Sequence, residues 1–333
     1  MARLISGDNR ERGAVLPITA IFILAAIGML ALGIDLGRLF LVKCELQRIA
    51  DASALAGALR LVVPPGTNGL VSTTPDCNRA LTAAQAVATS NTADADPLPL
   101  DNLDLQLGIY NPDTGEFTDT GCADPWTVNA VQATATKTIT FFLGGIFSGS
   151  SQTTLSARAV ALTGPVGSLP PGTYTLPLAI DADKVPSQGE KVVIELNPSP
   201  TDDGCWHTFF EQSSSSSLLR DMIEGDYPTP RVKVGDFINV KEGVSDSVLR
   251  TLGRALDDHG GTWEVVVPVV PAGSHAGWAE VLGFAAIRLT LVDSHGGDKR
   301  IEAETLENYV APGASPGGTT DYGLFAGAPK LVQ

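Results

Sequence analysis

One segment constrains this chain more than any other: "AVLPITAIFILAAIGMLALGI", from Ala14 to Ile34, carries no charged side chain. A helix of about 21 residues rises ~31 Å, which matches the hydrocarbon thickness of a bilayer. A membrane span is the first expectation. The rival reading is a cleaved secretory signal, with Arg3, Arg10 and Arg12 as its basic flank and Ala31-Leu32-Gly33 as the cut. Such signals have apolar stretches of only ~7 to 15 residues. Here apolar helical spacing also runs past the cut, through Ile34, Leu36, Leu39, Phe40 and Val42.

Asp35 and Arg38 follow the run directly. Three residues apart, they share a helix face and can pair where the apolar segment meets the polar interface. The alternative for Asp35 is a partner subunit. Beyond them "CELQRIADASALAGALRL" is rich in helix formers, and no proline intervenes before Pro64. An unbroken helix from Ala14 to Val62 would be ~73 Å long, an anchor joined to a stalk. Small residues on the stalk, Ala50, Ala54 and Gly57 among them, permit close approach of another element.

Composition narrows the partners. With 22 Lys and Arg against 37 Asp and Glu, the formal charge of −15 argues against nucleic acid. The positive-inside count is a tie, three bases before the span (Arg3, Arg10, Arg12) and three after it (Arg38, Lys43, Arg48). The 4 cysteines bear on the compartment instead. Cys77, Cys122 and Cys205 lie in loop-like contexts that suit an oxidising, external location, and Cys77 with Cys122 is the preferred pair. That bond would close a loop of about 45 residues and stabilise the fold by ~4 kcal/mol in the chain-entropy model. Four separate thiols are the alternative, and Cys44, on the stalk, has no partner legible in the sequence.

The N-terminal pattern resembles the TadE/TadG-like proteins of tight-adherence (Tad, or Flp) pilus assembly. The residues that carry the resemblance are Arg12-Gly13 before the span, Asp35-Leu36-Gly37-Arg38 after it, and the run from Leu46-Gln47 into Ala50 to Ala56. More weakly, residues 128–162 are similar to the paired strands that close the first external domain of TadG-like proteins, and the region from "RVKVGDFINV" to "IRLTLV" is similar to their C-terminal part. The resemblance implies a possible processing site at Gly13 and Ala14. It also implies other Tad components as partners: pilins, TadE-like proteins and the inner-membrane platform, besides membrane lipid. Pilins cut after such a glycine usually carry Glu at the fifth mature position, which here is Ile18. The membrane-held TadG-like branch therefore fits better than a major pilin. No Asp-x-Ser-x-Ser metal motif of the von Willebrand type follows an apolar strand.

The expected class is α+β. A cytoplasmic leader (1–13) precedes the transmembrane and stalk helix (14–62), and a pilin-head-like α+β domain follows at 63–163. Its elements are a helix from Arg79, a hairpin turning at Asn111 to Gly115, and strands at 128–141 and 153–162. The stretch "TGPVGSLPPG" (163–172) supplies the linker, 164–172. A second, β-rich domain covers 173–310, with strands near 174–180, 191–196, 231–240, 263–270, 280–292 and 300–310, and a helix that Ser245 can cap. Residues 311–333, rich in Gly and Pro, read as a flexible tail.

Chemistry is sparse. His207, His259, His275 and His295 form no zinc-ligand spacing, and neither a G-x-S-x-G elbow nor a P-loop is present. A serine with Asp258-His259 or Ser294-His295 is a remote hydrolytic triad, since both histidines precede Gly-Gly turns. Asp94, Asp96, Asp101 and Asp104 form an acidic loop interrupted by Pro97 and Pro99, read as solvated in preference to calcium-binding. No cofactor, metal or enzyme activity is expected. The expectation is a single-pass inner-membrane protein with an external body, acting as a minor-pilin-like assembly component held in the membrane or incorporated in the pilus; the alternatives are a tip adhesin and an anchored hydrolase.

Overall fold

The computed structural model describes residues 12–61, 76–112, 114–123, 127–142, 149–173, 175–185, 191–195, 203–212, 215–243, 245–294, 299–306, 309–318 and 320–332. Residues 1–11 of the leader, Val62, the "VPPGTNG" segment and His295 lie outside them. The chain is α+β, as its patterning implies. A helix α1 (Arg12–Leu61) of 50 residues opens it, and a β-rich body follows. Packing separates two compact units, Met1–Ser53 with Ala84–Leu105 and Ala133–Ala159, and Ala54–Ala83 with Gln106–Gln132 and Val160–Gln333.

The first elements after α1 are α2 (Cys77–Thr89), β1 (Thr92–Ala93), β2 (Asp96–Pro97), β3 (Leu103–Asn111), β4 (Glu116–Asp119), β5 (Ala130–Thr140) and β6 (Gln152–Leu162). α2 buries Ala80, Ala84 and Ala88, one residue every four, so a flat face of methyl groups meets its neighbours. β3 and β4 form the hairpin that the turn sequence encodes, with Tyr110 opposite Phe117. Gly108 is obligatory there: a Cβ would sit 2.1 Å from the Thr118 carbonyl oxygen. Strands 3 to 6 share a five-stranded sheet whose far edge is β20 (Lys330–Leu331).

The larger unit is organised by eight strands in the order β14-β12-β10-β8-β13-β15-β16-β9. These are β8 (Leu178–Asp181), β9 (Lys191–Glu195), β10 (Gly204–His207), β12 (Phe237–Lys241), β13 (Trp263–Val270), β14 (Ala276–Glu280), β15 (Gly283–Asp293) and β16 (Arg300–Thr305). β8 and β13 pair in parallel and the other registered pairs are antiparallel. The central strands are buried on both faces, so they read as apolar runs and not as alternating ones. Val265, Val267 and Val269 of β13 point to the core shared with α3 (Ser216–Glu224) and α4 (Asp246–Asp258), supplied by Leu219, Ile223, Val248, Leu249, Leu252 and Leu256. Val266 and Val270 point the other way, to Phe209, Leu169 and Leu324. Ser215 caps α3, accepting the Leu218 N–H, whereas the Ser245 side chain makes no such bond at α4.

Two sequence expectations need correction here. Residues 164–172 are not a free linker: β7 (Val166–Leu169) lies between β11 (Val232–Lys233) and β18 (Ser315–Pro316) in a small sheet. Nor is 311–333 a loose tail among its described residues, since β17 (Tyr309–Ala311) pairs with β19 (Leu324–Ala326) and β20 pairs with Leu162 and Ala161 of β6. The glycines that suggested mobility serve close packing. A Cβ on Gly167 would fall 2.7 Å from Gly317, and one on Gly318 would fall 2.7 Å from the Val166 carbonyl.

Candidate functional site: an apolar helix and the cluster at its base

From Val15 to Leu30 the large apolar side chains of α1 are exposed in every direction, Leu16 at 77% and Phe22 at 70%. The most apolar stretch has a mean hydropathy of 2.6 and is long enough to cross a membrane. Leaving such a surface in water costs ~25 cal/mol per Å2, so it requires lipid or other apolar helices around it. The pattern changes at Ala31. Ala31, Asp35, Val42, Leu46, Ile49, Ala50 and Ser53 are buried at helical spacing, mostly three, four or seven residues apart, the stripe that a helix lays against a folded neighbour.

Where stripe and apolar segment overlap, a polar cluster fixes the helix. Asp35, 4% exposed, accepts the N–H of Phe142 at 2.9 Å. Arg38 spreads its guanidinium over three partners. Its Nε and Nη2 donate to both oxygens of Asp94 at 2.9 and 2.6 Å, and its Nη1 donates to the Thr140 carbonyl at 2.9 Å. Its planar head also lies 4.5 Å above the Phe142 ring. The forked pair is the strong, directional kind of ion pair, and a ring beneath it adds a cation–π contact. The hydrogen bond from Arg38 holds the Asp94 carboxyl below its usual range, against desolvation that would raise it. Sequence spacing places Asp35 and Arg38 on one face, and the Asp35 charge does favour the Arg38 cation, but the forked, hydrogen-bonded partner of Arg38 is Asp94. The covered face offers a better-shaped acceptor than a carboxylate one turn away.

Asp94 reaches that position on a strained turn. Asp94 and Ala95 connect β1 and β2, and both have positive φ, 56° and 66°. Two-residue hairpins favour such turns, usually with Asn or Gly; an alanine there costs roughly 1 kcal/mol. The cluster holds the turn in place, for Glu45 accepts the Asp94 N–H at 2.8 Å while Arg38 grips its carboxylate. Lys137 ties Asp96 at 3.5 Å. Thus Asp94, read from sequence as part of a solvated acidic loop, is a docking residue. No turn signature such as Asn-Gly announced it. Further along, Lys43 donates to the Ser156 carbonyl and Gln47 to the Arg158 carbonyl at 3.1 Å, so two turns of α1 follow alternate residues of β6.

The remaining candidates fall as follows. Gly13 and Ala14 lie in the first turn of α1. Ala50, Ala54 and Gly57 are buried on its stalk. Cys77 and Cys122 form a disulfide, while Cys44 is exposed and outside any disulfide. His207 is buried and bracketed by the Leu176 carbonyl at 3.0 Å and the Phe209 N–H at 3.3 Å. Its Nε2 therefore carries the proton, and burial pushes its pKa down to about 3 despite the carbonyl. His259 stacks on Trp263 at the end of α4. Buried His275 meets Asp181 at 2.9 Å, a pairing that sequence reading missed because 94 residues separate the two. Among the described residues, no group of three or more His, Cys, Asp and Glu side chains could hold a metal.

Residues 13–60 match the model of the Tad family, described as Flp pilus-assembly TadE/G-like, and residues 66–161 match Tad_C, Tad-like Flp pilus-assembly. No curated protein and no solved structure matches the chain. The first match covers the apolar run with Asp35, Arg38 and the stalk, and the second covers the hairpin and strands that dock on them. By these two adjoining matches, residues 13–60 and 66–161 are regions of the TadE/TadG-like Tad pilus-assembly families.

Proposed function

We propose that this protein is a membrane-anchored, TadG-like minor-pilin or assembly component of a tight-adherence pilus. The observation that carries the reading is the division of α1 at Ala31. Above it the helix is apolar and uncovered; below it one face is fixed to a folded body. Such an object holds its body at a membrane surface and offers helix and body to other pilus components. The anchor sits in the inner membrane with the body external, a topology supported by the Cys77–Cys122 disulfide. Its activity is packing and contact, not covalent chemistry. A cut between Gly13 and Ala14 would place Ile18, and no acid, at the fifth mature position, which favours retention in the membrane over packing as a major pilin.

The test is to delete the gene segment encoding the chain, count pili by electron microscopy, and take N-terminal peptides by mass spectrometry from membranes and from sheared filaments. Reduced or shortened pili, with the chain found in membranes, support the reading. Normal pilus number with lost attachment would favour the adhesin alternative, and a freely dissolved polypeptide beginning near Ile34 would remove the anchor altogether.

A further inference from the structure

The β5–β6 hairpin lies along α1 and not across it. Thr140 of β5 meets Arg38, and Phe142 just beyond meets Asp35, while Ser156 and Arg158 of β6 meet Lys43 and Gln47. On the β6 side four helix residues, ~6 Å, are matched by two strand residues, ~6.6 Å, so the two axes run nearly together. The order of the contacts gives the direction: β5 climbs toward the apolar segment and β6 descends from it. The Phe141 N–H closes the pair by donating to the Ser151 carbonyl at 3.0 Å. The closed end therefore points at the membrane side of α1. All of these residues belong to one compact unit.

The same contacts fix how deep the hairpin reaches. The uncharged run from Ala14 to Ile34 fills a hydrocarbon core of ~30 Å, which sets Asp35 at its outer boundary and Arg38 ~4.5 Å beyond, among the headgroups. Phe142 donates its N–H to Asp35 at 2.9 Å, so its backbone lies at that boundary as well. There Phe142 remains 67% exposed, even with the Arg38 guanidinium 4.5 Å over its ring. A lone exposed phenylalanine on a water-facing loop means little. One whose depth is pinned to the end of the apolar segment has lipid beside it. An aromatic ring next to a cation at headgroup level suits this zone. In sequence, residues 141–151, "FFLGGIFSGSS", carry no charge that would oppose contact with acyl chains.

Resting on the anchor reading, we propose that the end of the β5–β6 hairpin is a second membrane contact, with the Phe142 ring seated at the boundary between headgroups and acyl chains beside α1. The occupant is lipid and not protein, because this surface is continuous with the span and its depth is set by the same Asp35. What it takes is the acyl boundary and not an anionic headgroup, since Arg38, the cation at this level, is already matched by Asp94. Two contacts, rod and hairpin, stop the unit from turning about α1.

The experiment uses the full chain carrying Cys44→Ser, purified and returned to phosphatidylcholine vesicles. Cys77 and Cys122 are joined and Cys205 is buried, so Phe142→Cys takes a nitrobenzoxadiazole label alone. Lipids with a nitroxide near the top or near the middle of the acyl chain, and aqueous iodide, then locate the label. Quenching by the shallow nitroxide is expected to be at least about threefold stronger for Phe142→Cys than for Ser156→Cys, which stands ~12 Å further from the boundary at the level of Lys43. Iodide should rank the two the other way, and added anionic lipid should change neither. Phe142→Trp, which keeps a ring beneath Arg38, should show the same preference for shallow brominated lipid above the background of the 4 native tryptophans; this separates the residue's own position from one that the label seeks out. Equal iodide access at Phe142→Cys and Ser156→Cys would overturn the proposal, as would a signal that needs anionic lipid. So would shielding seen in native membranes and not in lipid alone, since a protein would then cover the ring. Leu24→Cys guards the anchor reading, because its label should be quenched most by the deeper nitroxide. Loss of that signal removes the span, whereas loss of the signal at Phe142→Cys alone removes only this contact.

Discussion

The upper and lower parts of α1 are one continuous helix written for two solvents. Between Val15 and Leu30 no direction is preferred, because lipid or a ring of neighbours presents the same apolar environment on all sides. Between Ala31 and Leu61 the buried positions recur at helical spacing, with exposed Lys43, Cys44, Arg48 and Arg60 between them. The difference teaches where the membrane demand ends: not at the first charge, but where one face becomes committed to protein. Asp35 and Arg38 are inside that commitment. Their charges are matched by the Phe142 N–H and by Asp94, so they anchor the body to the rod just below the apolar segment.

The comparison breaks most visibly if a charge is forced onto each part in turn. Ile49→Asp places an unpaired carboxylate in a fully buried site, and we expect a loss of at least ~4 kcal/mol and an unfolded body, read by thermal melting in detergent and by protease sensitivity. Leu24→Asp, on the exposed segment, should leave that melt unchanged while reducing membrane integration. A body that melts equally in both variants would show that the two parts do not differ as described. Next in size is the disulfide. Cys77→Ser with Cys122→Ser opens a loop of 45 residues, and the expected cost is ~4 kcal/mol in the chain-entropy model, seen as a lower midpoint in denaturant. Reductant should lower the parent's midpoint similarly and leave the variant's unmoved.

A third expectation sets the base of α1 against the core of the larger unit, through acid. His207 is held neutral, its pKa near 3 against an ordinary 6.5. Between those values the unfolded chain takes up a proton that the folded one does not. Stability is therefore complete above the ordinary value and falls as pH falls, by ~2.7 kcal/mol at pH about 4.5. His207→Gln, which keeps a donor for the Leu176 carbonyl, should flatten that slope. Asp94 acts lower on the scale. Its carboxyl is depressed by Arg38, so its contribution is present above the usual carboxylate range and is lost only as pH drops through its lower folded value. A melt that starts to fall below pH about 6.5 and steepens again below about 4 distinguishes the two groups.

How far the sequence could be read follows the range of each interaction. The apolar run, the stalk, the β3–β4 hairpin, the helix at 246–258 and the apolar strands of the central sheet are local patterns, and the chain states them openly. The partners of Arg38 and Asp35 are not local, lying 56 and 107 residues away, and Asp94 reaches Arg38 through a turn whose second residue, Ala95, is uncommon at positive φ. The segments rich in Gly and Pro at 164–172 and 311–333 misled for a different reason. Composition reports a glycine's freedom but not its use, and Gly167 facing Gly317 is a contact that only the folded chain reveals.

The smallest expected effect sharpens the comparison most, because it separates holding the body from holding the membrane. Asp35→Ala leaves the Phe142 N–H without its acceptor, and Arg38→Ala removes the fork that steadies the Asp94-Ala95 turn; each should cost ~1 to 3 kcal/mol. Neither touches the segment from Val15 to Leu30, so the amount of protein in the membrane should stay at the parental level. What changes is the steadiness of the body on its rod. Proteolysis near Asp94 should accelerate, and pili should fall in number by more than the membrane fraction does. Asp35→Asn, which keeps an oxygen to accept the N–H but loses the charge, tells whether geometry or charge matters. Recovery of piliation in Asp35→Asn but not in Asp35→Ala would assign the residue to positioning, and equal piliation in all three chains would show that this cluster only helps the protein fold.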